Sequence, residues 1–286
     1  MLGFDLSQPR TLEEALALLG QGDPAVRPMG GGTALMLMMK AQIFKPIRLV
    51  SLRHIGGPFE GIALSTDGSH LRFGAMTTFS EIEHSPLVKQ HHPAIVQTMT
   101  TLANVRVRNV ACVGGNLAHA DPHLDLPPVW MALAARVRIV SKKEERFVPV
   151  EEIFAGYYET TIEDGELISE VCVPLRPTWR STYVKVTTRA IHDWPALGIA
   201  ISAEFAGRRI NDLRIVLSAA LDKPTRLEAA EMVLRGGEVD EGSLRRAGEA
   251  AVAEVEIHSD NRGSAAYKNH LLRVHLARAL QSIMGA

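Results

Sequence analysis

Three consecutive glycines stand between a strand-like and a helix-like segment near the amino end of the chain: Ala25 to Met29, then Gly30-Gly31-Gly32-Thr33, then Ala34-Leu35-Met36-Leu37-Met38-Met39-Lys40. Glycine has no Cβ and enters positive φ freely, so such a run lets backbone amides converge on one point. A helix opening directly after it adds unsatisfied amides and the positive end of its dipole. The arrangement predicts an anion-binding turn suited to phosphate, although a ligand-free tight turn uses the same residues. It lacks both the G-x-G-x-x-G spacing of a Rossmann fingerprint and the Gly-Lys-Ser/Thr of a P-loop. The helix after it is apolar on all sides, so it is expected to be buried, with Met36, Met38 and Met39 in core packing.

A second glycine pair lies within Cys112-Val113-Gly114-Gly115-Asn116-Leu117-Ala118, followed by Ala120-Asp121-Pro122 and Asp125-Leu126-Pro127-Pro128. It reads as part of a loop from Arg106 to Asp125. It offers another amide nest, an asparagine that both donates and accepts, and two carboxylates suited to sugar or ribityl hydroxyls. Asp125 before Leu126-Pro127-Pro128 predicts a helix start, with the carboxylate accepting free amides. Two nests on separate units suggest one ligand spanning both, and a diphosphate dinucleotide has the length and chemistry to do so.

Around these loops the pattern is α+β. Thr11 is placed to cap a helix carrying Glu13 and Glu14 in its first turn and Leu12, Ala15, Leu16 and Leu19 at helical spacing, closed by Gly20 and Gly22. A strand at Ile47 to Leu52 completes a small unit. A hairpin, Ile62 to Leu64 and Leu71 to Phe73 around Asp67-Gly68, opens the next. It continues through a helix from Pro93 to about Val105, a second to Ala135, and strands at Val137 to Val140 and Phe147 to Val150. Strands at Thr182 to Thr188, Leu197 to Phe205 and Leu213 to Ser218, then helical sequence from Glu228 to Ala286, form a third. The expected division is 1–58, 59–175 and 176–286.

Composition narrows the function. With 46% hydrophobic residues the chain is too apolar for disorder, and 31 basic against 32 acidic side chains leave no electrostatic footprint for nucleic acid. No apolar run approaches the roughly 18 residues of a membrane span; Val129 to Ala135 stops at Arg136. Asp5 and Arg10 at an amino terminus without an apolar stretch predict no secretory signal and a cytoplasmic setting. Two cysteines, Cys112 and Cys172, make no disulfide framework, four-thiolate zinc site or iron–sulfur cluster. His119, Asp121, His123 and Asp125 carry metal-binding residue types, but Pro122 opposes the helix that would align the two histidines, so loop hydrogen bonding is expected and no metal site. Arg106 and Arg108 suit either phosphate contact or bracing of backbone carbonyls. His91-His92 is expected at the surface beside a helix end, and no G-x-S-x-G elbow exists for a serine hydrolase.

The two glycine motifs resemble those of the FAD-binding, or medium, subunit of molybdenum hydroxylases, the group including xanthine dehydrogenase, carbon monoxide dehydrogenase and nicotinate dehydrogenase. The family pattern A-G-G-T-D-L is similar to Gly30 through Leu35. Its I-R-N-x-G-T-I-G-G-N-L-A followed by D-P-x-x-D-L-P is similar to Val107 through Ala118 with Asp121-Pro122 and Asp125-Leu126-Pro127. Similar segments continue at Gly165-Glu166-Leu167-Ile168, Lys185-Val186-Thr187-Thr188-Arg189-Ala190 and Ser264-Ala265-Ala266-Tyr267-Lys268. The resemblance thus covers nearly the whole chain in order. It implies a two-part FAD-binding fold of the vanillyl-alcohol-oxidase (PCMH) type, followed by a smaller α+β carboxy-terminal domain with a three-stranded sheet and helices.

The same resemblance implies the ligand contacts. Pro28, Met29, Gly30, Gly31, Gly32, Thr33, Ala34 and Leu35 would hold the pyrophosphate and ribityl chain of FAD, with Leu102 near the adenine. Cys112, Val113, Gly114, Gly115 and Asn116 would line the cofactor, and Asp125 would accept from its hydroxyls. Ile168 and Lys185 match positions near the flavin ring, where a cation stabilises the reduced form. Thr187 to Ala196 is similar to the loop bordering the electron-acceptor face, with Trp194 against the isoalloxazine. The implied activity is electron transfer, without a catalytic acid or base. Electrons would pass from a large molybdopterin-binding partner through a small [2Fe–2S] partner to FAD, and on to NAD, O2 or a quinone, in a dimer of heterotrimers. Ala34 stands where the family carries an acid or another polar residue, and Cys112 and Val113 where it carries Thr and Ile. Loss of one ligand hydrogen bond at Ala34 removes about 0.5–1.5 kcal/mol and motivates an alternative: a non-catalytic assembly or binding module with weakened or lost FAD binding. A self-contained FAD oxidase is disfavoured, since no His or Cys is identified for covalent flavin attachment.

Overall fold

The computed structural model describes residues 3–20 and 23–285. Gly22, expected to help close the first helix, and Ala286, at the end of the helical tail, lie outside the described residues. The first part runs β1 (Asp5–Ser7), α1 (Leu12–Leu19), β2 (Val26–Met29), α2 (Thr33–Lys40) and β3 (Arg48–Ser51). Its three strands are parallel in the order β1-β3-β2. Thr11 caps α1 by accepting from the Glu14 amide at 3.1 Å, and the Gly20 amide closes it on Leu16 O. Helix α2 opens directly after the glycines but is not buried as expected. Only Met39 is buried, and Leu37 is 67% exposed. A sheet of three short strands covers one stripe of a helix, and no second layer of this part covers the rest among the described residues.

The second part runs β4 (Ile62–Leu64), β5 (His70–Gly74), α3 (Phe79–His84), α4 (Pro86–His91), α5 (Pro93–Met99), α6 (Val105–Arg108), α7 (Val113–His119), α8 (Leu126–Ala132), β6 (Arg136–Val140), β7 (Glu145–Pro149), β8 (Phe154–Gly156), β9 (Glu159–Thr160) and β10 (Leu167–Pro174). Five strands pair antiparallel in the order β4-β5-β10-β6-β7, so the last strand in sequence lies at the centre. In the β4–β5 turn the Ser65 and Ser69 hydroxyls, with the Ser69 amide, bind the Asp67 carboxylate and hold it below the usual carboxylate range. Helix α8 is buried along its whole length, with Trp130 packed edge-on against Phe73 at 5.0 Å between ring centroids.

Two helical expectations fail locally. The helix from Pro93 ends at Met99 because the hydroxyls of Thr98, Thr100 and Thr101 turn back on carbonyls and Ala103 takes a φ of +45°. Asn104 then starts a separate turn, α6, by accepting from the Val107 amide. Residues 106–125 are not one loop either, since α7 occupies their middle.

The third part runs β11 (Trp179–Val186), β12 (Leu197–Ala206), β13 (Arg209–Ser218), β14 (Thr225–Arg226), α9 (Glu228–Leu234), α10 (Glu241–Glu254) and α11 (Ala265–Met284). Its sheet has four strands rather than three, because the two-residue β14 adds to β13. Alternation along these strands explains their apolar runs. Ile199, Ile201, Ile215 and Leu217 pack with the helices, whereas Tyr183, Ala200 and Val216 join the core of the second part. The sheet is therefore sandwiched, with one face toward each core.

His92 is buried at 4% exposure with Nε2 lacking a partner, contrary to the surface position expected for it. Burial, with His91 beside it, pushes its imidazole down to about 4. Below the ordinary value of 6.5 the unfolded chain takes up a proton that the folded one refuses, so stability falls as pH drops from there toward 4. Urea unfolding of the native chain should lose roughly 3 kcal/mol across that window that His92→Gln does not lose.

Candidate functional site

The two glycine motifs meet. Gly32 adopts φ +71° and caps α2, turning the chain so that Gly30 and Gly31 lie against the segment ahead of α7. A Cβ on Gly31 would fall 1.7 Å from Val110 O, and one on Gly30 2.6 Å from Cys112 Sγ. Only glycine permits this backbone-on-backbone approach. The amides of Gly32, Thr33, Ala34 and Leu35 find no acceptor among the described residues. Pro28 is exposed, while Met29 continues the strand and its carbonyl accepts from the Leu52 amide. The loop thus presents a row of donors at a helix start.

The second motif differs from the nest expected of it. Cys112 is the residue before α7, and the amides of Val113 and Gly114 donate to Thr77 O at 3.1 Å and Ala75 O at 2.8 Å. Gly114 has no room for a side chain, since a Cβ there would meet Ala75 Cβ at 2.7 Å. Burial pushes the Cys112 thiol up, while amides of Gly115 and Gly31 pull it the other way. The sulfur therefore joins the two motifs. What the second motif leaves free is Asn116, whose Oδ1 is buried and has no partner.

Farther along, the structure gathers Asp125, Lys185 and the segment at Leu102. Lys185 Nζ donates to Asp125 Oδ2 at 2.9 Å and to Thr101 O at 3.0 Å, and the Tyr183 hydroxyl donates to Asp125 Oδ1 at 2.8 Å. Asp125 stands at the start of α8 as expected but caps nothing with its side chain, because both oxygens are taken by the third part. Burial pushes its carboxyl up, countered by Lys185 and Tyr183. Gly198 makes the contact possible: a Cβ there would lie 2.6 Å from Tyr183 Oη and 2.5 Å from Ser218 Oγ. The side chains of Leu102 and Ile168 both lie in the core, at 5% and 6% exposure. Arg108 braces this region through Glu83 and the carbonyls of Leu102 and Ala103, which resolves its two readings in favour of bracing.

Helix α7 spans about 10 Å and connects these donors to a second cluster at its far end. There Asp121 accepts from the His123 amide at 2.9 Å and the Tyr158 hydroxyl at 2.7 Å. Burial raises its carboxyl, but the His123 and Tyr158 donors outweigh that and leave it below the usual range. Trp194 stacks on the His123 ring at 5.4 Å between centroids.

Sequence reasoning missed α3 and the roles of Tyr183, Gly198 and Tyr158. The Thr78-Phe79-Ser80-Glu81 signature of a capping box was there to announce α3, with Thr78 and Glu81 hydrogen-bonded reciprocally. The other three depend on contacts between distant segments and carry no local signal.

Three features of this site fit a dinucleotide: a glycine turn packed backbone to backbone against the second motif, unpartnered amides at a helix start, and the orphaned Asn116 oxygen. Residues 2–176 match the family described as the FAD binding domain in molybdopterin dehydrogenase. Residues 182–283 match the CO dehydrogenase flavoprotein C-terminal domain. The chain belongs to this family of FAD-binding oxidoreductase subunits, with FAD as its cofactor. It is 30% identical to the carbon monoxide dehydrogenase medium chain of Afipia carboxidovorans, over 97% of this chain and 96% of that one. It is also 30% identical to the nicotine 6-hydroxylase medium subunit of Paenarthrobacter nicotinovorans, over 96% and 95%. A chain of the carbon monoxide dehydrogenase of Hydrogenophaga pseudoflava, solved without the Mo-pyranopterin moiety, superposes with a TM-score of 0.95 at 31% identity, covering 99% of this chain and 98% of that one. No helix among the described residues is long and apolar enough to cross a membrane.

Two substitutions separate cradle from brace. Gly31→Ala should abolish flavin binding in equilibrium dialysis, because Val110 O is backbone and cannot yield to a Cβ. Lys185→Ala leaves the Asp125 carboxylate buried and short of a cation, and urea titration should show a loss of about 3–5 kcal/mol.

Proposed function

We propose that the chain is the FAD-carrying electron-transfer subunit of a multi-subunit molybdenum hydroxylase. In this reading a large molybdopterin-binding subunit and a small [2Fe–2S] subunit supply the electrons, the complex is a dimer of heterotrimers in the cytoplasm, and NAD, O2 or a quinone receives them. Residues 1–58 and 59–175 are the two cofactor-binding parts and 176–286 the carboxy-terminal domain. The convergence of both glycine motifs, with the open amides of Gly32 to Leu35 facing away from protein acceptors, carries the reading. Bound FAD supplies the junction between one-electron carriers and two-electron acceptors.

The chain's own residues bind and orient. Pro28 to Leu35 hold the diphosphate and ribityl chain through backbone donors. Cys112 to Gly115 buttress that loop from behind, and Asn116 reaches the ligand with its side-chain amide. Leu102 packs on the adenine side, and Ile168 and Lys185 stand toward the ring. Lys185 is anchored by Asp125 and Tyr183, so its charge is held at one place instead of swinging on a flexible stem. Asp125 serves as that anchor. Trp194 and its loop border the acceptor face. Ala34 does not oppose this reading, because the donors here are amides, which an alanine side chain does not remove.

Titrating FAD into the purified chain, alone and then with its two partner subunits, tests the proposal. Flavin absorbance should co-elute with the protein in at least the complete assembly. Asn116→Ala should weaken binding about three- to tenfold, the value of one ligand hydrogen bond. A chain that stays colourless even in the complete assembly would sink the reading.

A further inference from the structure

We propose that His123 is a positioning residue: it comes from the FAD-binding part, stacks on Trp194 across the domain boundary, and sets how far the 187–196 loop stands open. The loop joins β11 to β12, and Thr188 to His192 are exposed. Its hydrogen bonds are local, from the Asp193 amide to Ala190 O and from the Trp194 amide to Asp193 Oδ1. Among the described residues, no hydrogen bond or ion pair ties residues 187–195 to the FAD-binding part. Trp194, 46% exposed, makes the connection by its ring faces alone. The His123 imidazole lies nearly parallel to it, 5.4 Å between centroids at 21°, and the Arg262 guanidinium lies 5.5 Å from the ring centroid.

The imidazole is itself held at one edge, and its other nitrogen, Nε2, is buried without a hydrogen-bond partner. Its Nδ1 is 3.1 Å from Asp121 Oδ1, which also accepts the His123 amide. Its Nε2 is 3.6 Å from Asp260 Oδ2, and that oxygen is held at 2.8 Å by Lys268 Nζ, a fully buried cation. The second oxygen of Asp121 takes the Tyr158 hydroxyl and lies 3.9 Å from His119 Nε2. Asp121, itself held by Tyr158, thus orients the ring from one edge, while Asp260, held by Lys268, stands near the other. The ring's orientation is set at its Nδ1 edge, which leaves a face for the indole. One such stack shifts a loop's population only severalfold, so the loop remains movable while having a preferred seat.

That this loop borders an acceptor face rests on the function proposed above; the His123 contact does not. The test uses the full chain loaded with FAD and two substitutions with opposite chemistry. His123→Gln loses the ring but stays polar, whereas His123→Phe keeps the ring and loses both nitrogens; both keep the backbone amide that donates to Asp121. Iodide quenching of Trp194 emission, taken as parent minus Trp194→Phe, should rise roughly two- to tenfold in His123→Gln, the loss of one stacking contact, and less in His123→Phe. After photoreduction, reoxidation by dichlorophenolindophenol should change rate in the same order of variants while the FAD content stays constant. Should His123→Gln fail to fold, Asp260→Asn, which removes the charge 3.6 Å from the ring's Nε2, carries the same expectation at smaller amplitude. Unchanged Trp194 quenching in a folded His123→Gln chain overturns the proposal. A chain that binds no FAD overturns the functional reading instead, and the quenching measurement then still decides the role of His123.

Discussion

The close approach of Gly31 to the Val110 carbonyl is the contact on which the arrangement of the FAD-binding part depends. The first part has strands of three or four residues and a largely uncovered α2, and it joins the core of the second part through Ala15, Leu16, Leu19, Val50 and Leu52. Backbone laid directly on backbone gives it a seat, because two main chains in contact leave no side chain to repack and no alternative register. The Cys112 sulfur, taking amides from both motifs, reinforces that seat. It follows that the cofactor cradle and the joint between two substructures are one object. The residues that shape the ligand site help hold the parts together, beside the apolar side chains of α1 and β3 in the shared core.

A second joint of different chemistry lies at the start of α8. There an ion pair, Lys185 with Asp125, is removed from water and completed by a tyrosine hydroxyl. Taking charges out of solvent is costly, and only full hydrogen bonding repays it. Asp125 meets that condition with a donor on each oxygen, and Gly198 clears the space for one of them. Sheet alternation decides which side chains arrive: Tyr183 and Lys185 share the face of β11 turned toward the FAD-binding part, while Val184 and Val186 face the helices. A cation built into this joint is immobile by construction.

Much of this was legible in the residue order. Glycine runs, the Thr11 cap and the Asp67-Gly68 turn act over a few residues, so their structures followed from local chemistry. The α2 burial was misjudged because composition records how apolar a helix is, not whether a second layer exists to cover it. The end of the helix at Met99 was hidden in a cluster of threonines that read as neutral until their hydroxyls are seen on carbonyls. The second glycine motif was taken for a nest because the same letters serve an open turn or a helix start, and which amides are already satisfied depends on Ala75 and Thr77. Asp125 stands at the expected helix start, but its carboxylate does not cap that helix, since its partners lie on a strand of the third part.

The double burial of β12 bears on modularity. The two family matches meet between residues 176 and 182, which invites treating the halves as separable pieces. Yet Tyr183, Ala200 and Val216 complete the core of the half before that junction. Cutting the chain there would strip one half of part of its interior and expose a sheet face on the other. The divide in kinship is therefore not a divide in folding, and the chain is a poor candidate for shuffling its halves with those of its relatives.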